Sequence, residues 1–233
     1  MSFGRIEAPF HLHTNSWEVI EAGIERGGEE LLNTLARRLG RQNLAGLNIL
    51  DVGCGVRLTQ TIVNLEIPIG SYTGIEVNAA IVDWLTENVA AHDDRFKFVQ
   101  WNVRHAYYNN VSTAPPMSNF ESLPVPGVFD VITAFSVFTH LDPEGSRQLL
   151  HLMRKSLRPS GRLFFSALCY DLSVETFGQG EPDIPLAEAK YSRDYIAELL
   201  ALEGFELISH EKPSFFIADS FLCGLTPPKL PSI

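Results

Sequence analysis

The chain has 233 residues, 45% of them hydrophobic and 20% charged, which is ordinary globular usage and excludes disorder as a description of the whole. That length suits one large α/β domain with a short extension better than two full domains. A formal net charge of −10, from 28 acidic against 18 basic residues, disfavours long-range attraction to phosphate backbones, so nucleic acid is not the expected partner.

Residues 15–40 read as helical in two pieces punctuated by Gly27-Gly28. Asn15 or Ser16 caps the first piece, and Leu31, Leu32, Leu35 and Leu39 line one face of the second. Arg37, Arg38 and Arg41 then form a solvated face. Strand Leu47–Val52 is followed by a short helix ending before Pro68, and strand Tyr72–Val77 by a helix bearing Ile81, Trp84, Leu85 and Val89. After strand Phe96–Trp101 comes an irregular stretch, residues 104–127, too long for an ordinary connection and read as a functional loop or lid. Strand Val128–Phe135 ends it. Asp142 caps the next helix with Pro143 at its first position, and Leu149, Leu150, Met153 and Leu157 face inward. Pro159-Ser160-Gly161 turns the chain into strand Arg162–Leu168. A second irregular segment, residues 171–190, leads to a helix with Tyr195, Ile196, Leu199 and Leu200, then to strands Phe205–Ser209 and Phe221–Leu225.

Strands alternating with helices imply a doubly wound, mostly parallel seven-stranded sheet with helices on both faces. The last two strands have only a loop between them, so the last strand is expected to be antiparallel. No apolar run approaches the roughly 18 to 20 residues that span a bilayer, and no membrane association is expected. Residues 1–7 lack the layout of a secretory signal. Cys54, Cys169 and Cys223 are odd in number and without metal-like spacing, so reduced thiols in a cytoplasmic protein are expected.

The segment from Leu47 to Gly55 is an apolar strand ending in an acid and a glycine-spaced turn. Such turns, at the carboxyl ends of strands in open α/β sheets, let a nucleotide approach the main chain. A dinucleotide fingerprint places its third glycine at position 58, where this chain has Leu58. Asp51-Val52-Gly53-Cys54-Gly55 resembles motif I of the class I S-adenosylmethionine (SAM)-dependent methyltransferases. Gly74-Ile75-Glu76-Val77 resembles the acidic end of their second strand, the run from Phe129 to Leu141 their fourth strand and its exit, and the run from Leu157 to Arg162 the turn into the fifth. The four motifs, in this order, extend over about residues 45 to 225.

The resemblance implies residues 1–44 as an N-terminal helical extension or cap and residues 45–233 as a Rossmann-like SAM-binding domain. It implies SAM as cofactor, with S-adenosylhomocysteine as product, and a small-molecule acceptor methylated at O, N or C. Gly53, Cys54 and Gly55 form the turn against the cofactor, with Cys54 a small packed residue. Glu76 accepts hydrogen bonds from the ribose hydroxyls. Asn102 stands where the family often has an acid facing the adenine amine, and Val77 and Val103 either flank the adenine or pack in the core. Phe135 and Ser136 meet the methionine portion through backbone. Asp51 meets the cofactor's ammonium, directly or through water, or else braces the turn. One position departs from the family, which usually has a further glycine where Arg57 stands. Either Arg57 replaces it, or the turn is one residue shorter and Arg57 matches the arginine that often follows.

His140, just past the fourth strand, is the candidate general base, because imidazole titrates near neutrality; the alternative is packing beside the Asp142 cap. His105, Tyr107, Tyr108 and Asn109 either close over substrate or form a polar loop, and His11 and His13 belong to a lid. No metal is expected. Two other functions remain open: a SAM-fold binding or scaffold protein without transfer activity, and a nicotinamide-dependent oxidoreductase.

Overall fold

The computed structural model describes residues 4–14, 20, 23–170, 176–180, 183–212 and 218–227. The chain divides into two compact units, Met1–Val103 and Arg104–Ile233.

The first unit holds helix α1 (Ile24–Arg38), strand β1 (Leu44–Val52), helix α2 (Arg57–Asn64), strand β2 (Ile69–Glu76), helix α3 (Ala79–Leu85) and strand β3 (Phe96–Gln100). Strand β2 lies between β1 and β3, and both pairings are parallel. Strand carboxyl ends therefore share one edge of this unit, with Val52 opposite Ile75 and Glu76 opposite Gln100. Leu31, Leu32, Leu35 and Ala36 turn the buried face of α1 inward, as the leucine spacing predicts.

The expected break at Gly27-Gly28 is absent: α1 runs through both glycines. Gly28 instead admits its neighbour, since a Cβ there would lie 2.0 Å from Thr61 Oγ1 on α2. Of the first helical piece expected from residue 15, its Asn15 or Ser16 cap lies outside the described residues, and Ile24–Arg26 belong to α1.

The N-terminal segment is bound to α2 by side-chain amides. Ile6 N–H donates to Asn64 Oδ1 at 2.8 Å, Asn64 Nδ2 donates back to the Ile6 carbonyl at 2.8 Å, and Ala8 N–H donates to Gln60 Oε1 at 2.9 Å. One carboxylate gathers the donors: Glu25 Oε1 accepts from Asn64 Nδ2 at 2.8 Å, Gln60 Nε2 at 3.2 Å and Arg5 at 3.2 Å. Burial works to raise the Glu25 carboxyl, but these bonds outweigh it and hold it below its ordinary value.

The second unit holds strand β4 (Phe129–Ala134), helix α4 (Pro143–Lys155), strands β5 (Leu157–Cys169), β6 (Phe177–Gln179) and β7 (Ala189–Tyr191), helix α5 (Arg193–Leu202), and strands β8 (Phe205–Glu211) and β9 (Asp219–Leu225). Strands β4 and β5 are parallel, and Arg158 binds Asp130 across them at 2.6 Å. Strand β9 runs antiparallel to both β5 and β8. Stacked Phe165 and Phe221, with centroids 5.0 Å apart, and Phe138 against Phe165 at 4.5 Å fill the core beside these strands.

Helix α4 begins as the sequence predicts, with Asp142 Oδ1 accepting the Gly145 N–H at 2.7 Å and Pro143 in the first turn. The turn expected at Pro159-Ser160-Gly161 lies within β5, where the register against β4 shifts. The short β6–β7 hairpin was not expected, because three-residue strands carry too little alternation to read. The fold is α/β and mostly parallel. Its seven strands of five residues or more and its antiparallel closing region match the expected class.

Candidate functional site

In the first unit the main chain leaves β1 through a turn that needs its two glycines. Gly53 has φ of 66° and Gly55 φ of 49°, a region disfavoured for side chains with a Cβ. The Gly53 and Cys54 N–H groups both donate to the Ile75 carbonyl, at 2.8 and 3.1 Å, which fixes the turn against β2. Arg57 lies in the first turn of α2, so this position makes no demand for a left-handed residue. Cys54 points its thiol into the protein, where a Cβ on Gly74 would lie 2.7 Å from Sγ. Burial, with the Glu76 and Asp51 charges adding to it, pushes this thiol well above its ordinary value. It is packed in the turn, as the sequence suggests.

Asp51 is 2% exposed and accepts the Tyr72 hydroxyl at 2.5 Å on Oδ2. The guanidinium of Arg57 shares this environment: burial lowers its pKa, and the Asp51 carboxylate, with Tyr72 beside it, opposes that shift. Burial also raises the Tyr72 phenol well above its ordinary value, with Asp51 adding to it, so Tyr72 stays a hydroxyl donor. Sequence reasoning missed Tyr72. Its contact with Asp51 depends on the register that sets Ile49 opposite Tyr72, which a single strand pattern does not reveal.

Glu76 ends β2, is 8% exposed, and its carboxylate is organised by three backbone donors. Oε1 accepts Val77 N–H at 2.8 Å and Asn78 N–H at 3.1 Å, while Oε2 reaches back to Gly55 N–H at 3.0 Å. The acid and the glycine turn, 21 residues apart in sequence, are thus joined by one bond. Asn78 caps α3 through Ala80 N–H at 3.0 Å. Past β3, Asn102 is exposed, Val103 is buried and Val77 is half-buried. Trp101 N–H donates to the Glu76 carbonyl at 2.8 Å, which sets the exit of β3 beside that of β2. Thr14, also missed, approaches the turn: a Cβ on Gly55 would lie 3.6 Å from Thr14 Oγ1. His13 Nε2 bonds the Ala8 carbonyl at 3.1 Å, and His11 is exposed.

In the second unit Phe135 and Ser136 follow β4. Phe135 sets its edge against Phe164 with centroids 5.2 Å apart. Ser136 has φ of 57°, unusual for a residue with a side chain, and its N–H donates to Ser166 Oγ at 2.9 Å. Non-glycine residues in this region are enriched at functional sites.

His140 does more than pack beside the Asp142 cap. Its Nδ1 stands 3.1 Å from the Leu186 carbonyl and its Nε2 3.0 Å from Tyr108 Oη. A carbonyl only accepts, so Nδ1 carries the proton and Nε2 accepts from the phenol. Tyr107 stacks on the ring at 5.6 Å and 2°, and Tyr108 meets it edge-on at 5.0 Å. His105 holds this loop: its Nδ1 accepts Tyr107 and Tyr108 N–H, each at 3.1 Å, and its Nε2 donates to the His140 carbonyl at 2.7 Å. Burial lowers His140 below the ordinary imidazole range, with the His105 charge adding to it, against the Leu186 and Ala187 carbonyls and Glu188. Burial likewise lowers His105, against the His140 carbonyl and Asp142. Both rings are neutral at pH 7.

The chain matches the family described as "Methyltransferase domain" over residues 24–221. Among solved structures it is similar to the glycopeptide N-methyltransferase MtfA, with a TM-score of 0.60 and 15% identity over 86% of this chain and 90% of that one. It is similar to the magnesium protoporphyrin IX methyltransferase (ChlM) of Synechocystis PCC 6803 with bound SAM, at a TM-score of 0.58 and 14% identity over 96% and 87% of the two chains. A third is the 1,6-didemethyltoxoflavin-N1-methyltransferase of Burkholderia thailandensis, with bound 1,6-didemethyltoxoflavin and S-adenosylhomocysteine, at a TM-score of 0.58 and 18% identity over 91% and 82%. At these identities the likeness is one of fold.

Proposed function

The chain belongs to the methyltransferase domain family, and on that premise we propose that it binds SAM and transfers its methyl group to an O, N or C atom of a small-molecule acceptor. The observation that carries the cofactor reading is the buried Glu76 carboxylate, held by Gly55, Val77 and Asn78 N–H groups at the edge where the strands of the first unit end. A carboxylate offers about four lone-pair sites, and three are engaged here. The fourth is left for a ribose hydroxyl. The left-handed Gly53 and Gly55 leave main chain without a Cβ on which a ligand can lie. Donor chemistry and steric space therefore fit SAM.

In this reading Gly53, Cys54 and Gly55 supply the turn, Glu76 holds the ribose, and the Asn102 amide oxygen takes the adenine amine between Val77 and Val103. Asp51 braces the turn through Tyr72. On the family resemblance, Phe135 and Ser136 are the contacts for the methionine portion. SAM supplies a methyl group already activated on a sulfonium, so the protein's main contribution is orientation, worth several kcal/mol. A base is needed only where the acceptor gives up a proton. The acidic charge favours a small molecule over nucleic acid as the acceptor.

SAM and S-adenosylhomocysteine should each raise the melting temperature by mass action. Glu76→Ala should weaken both by about tenfold or more, since hydrogen bonds to a charged group are worth roughly 1.5–3 kcal/mol and 1.4 kcal/mol is tenfold. Calorimetric titration measures the change. No shift with either ligand at millimolar concentration overturns the assignment, and a shift for NAD instead points to a nicotinamide site; unchanged affinity in the variant removes Glu76 from it.

A further inference from the structure

His140 Nε2, the atom through which this residue would act as a base, is already engaged by the Tyr108 phenol. Its other nitrogen is committed to the Leu186 carbonyl, and Tyr107 covers a ring face. An acceptor therefore does not reach the imidazole. What stands at the surface of this cluster is the phenol: Tyr108 is 42% exposed and Tyr107 48%.

We infer that Tyr108 and His140 form a proton-accepting dyad, in which Tyr108 Oη touches the acceptor and His140 stands behind it. The proposal rests on the methyltransferase reading and deepens it: the acceptor is a planar phenol, or an N–H compound of comparable acidity. The acceptor's O–H or N–H bond breaks and its electron pair stays on the nucleophile. That proton passes to Tyr108 Oη while the phenol's own proton passes along the 3.0 Å bond to Nε2. The imidazole ends as imidazolium, Tyr108 is again a neutral phenol, and the nucleophile is left anionic if it began neutral. Tyr108 is the catalytic residue; His140 acts through it as a positioning residue.

The surroundings suit this role. His140 begins neutral, which is the form that can accept. The Leu186 carbonyl fixes the tautomer with Nε2 bare and stabilises the imidazolium that forms. Among the described residues, Glu188 favours the cation, His105 disfavours it while itself neutral at pH 7, and Asp142 acts on His105. His105 fixes the phenol's position by binding the Tyr107 and Tyr108 N–H groups and the His140 carbonyl together. The flat Tyr107 ring, parallel to His140 within 2°, lies alongside and suits a planar acceptor.

The test uses 4-nitrophenol, whose own ionisation lies near neutrality and whose phenolate absorbs visibly. Below that pKa, titration of the full chain into the dye should raise its phenolate fraction several-fold. Tyr108→Phe, which keeps the ring and deletes Oη, should abolish the rise. His140→Gln should abolish it too, although a structural role alone would leave the dye's ionisation unmoved. An unchanged spectrum with the wild-type chain at millimolar dye, or a rise that survives Tyr108→Phe, overturns the dyad. The thermal shift with SAM is read on the same samples. If it is present while the dye signal is absent, the methyltransferase reading stands and the dyad falls; if the dye signal is present without it, the dyad stands and the methyltransferase reading falls.

Discussion

Replacing Gly28 by alanine sets two opposed effects of similar size against each other in α1. Alanine in a helix interior is favoured over glycine by about 1 kcal/mol. Against this, the added Cβ would lie 2.0 Å from Thr61 Oγ1 and 2.8 Å from Thr61 Cβ, where carbon pairs prefer about 3.5–4.0 Å. Rotating Thr61 does not relieve the clash, because its Cβ is fixed to the backbone of α2 and its hydroxyl donates to the Arg57 carbonyl at 2.8 Å. The helices must part, at a cost of roughly 1–3 kcal/mol for overpacking. The net effect is a loss of about 1 kcal/mol, or about 2–4 °C in melting temperature for a chain of this size. Gly27→Ala, one residue earlier, supplies the control: among the described residues a Cβ there meets nothing within 4 Å, so helix propensity acts alone and raises stability. Scanning calorimetry should move the two variants in opposite directions, and adding Thr61→Ala to Gly28→Ala should restore part of the loss. Because α2 starts at Arg57 beside Asp51, Gly28→Ala should also weaken SAM binding where Gly27→Ala does not. Two variants shifting together, or Gly28→Ala alone stabilising, would refute the packing argument.

The clamp at Glu25 should fail in acid. Its folded pKa is depressed, so its contribution is fully present above the unfolded glutamate value and is lost as pH falls through the lower folded value. Hydrogen exchange at the Ile6 and Ala8 amides should report the loss in that window and show none of it in Glu25→Gln; protection independent of pH there sinks the clamp. The three buried cysteines should be inert in the folded chain, since burial holds the Cys54 thiol well above its ordinary value and Cys169 at about 12. A disulfide reagent at neutral pH should therefore react only as fast as the chain unfolds, and prompt reaction without denaturant would contradict the buried placement.

The parts of this molecule legible in the sequence are those written in local pattern. The glycine pair at 53 and 55 signals a left-handed turn by composition alone, and the alternation of strands and helices gives the fold class. Glu76 at a strand end could be read because an acid there interrupts an apolar run. What could not be read depends on register and on packing between elements. Gly27-Gly28 has the composition of a break, yet a glycine required by a neighbouring helix looks the same in sequence as one that ends a helix. The Tyr72–Asp51 bond needs the strand register, and the Tyr108–His140 bond closes a loop across 32 residues. His140 was found by its place after β4, but the phenol that occupies its Nε2 was visible only in three dimensions.

The thiol of Cys54 seated in the notch above Gly74 also constrains how this chain can change over time. A side chain at 74 would need the space that Sγ now fills, with the Phe98 ring a further 2.8 Å neighbour of any Cβ there. Positions 54 and 74 are therefore a size-coupled pair. Alanine at 74 needs both a smaller residue at 54 and a shift of the Phe98 ring. In related chains the two positions should vary together, with their combined volume held nearly constant.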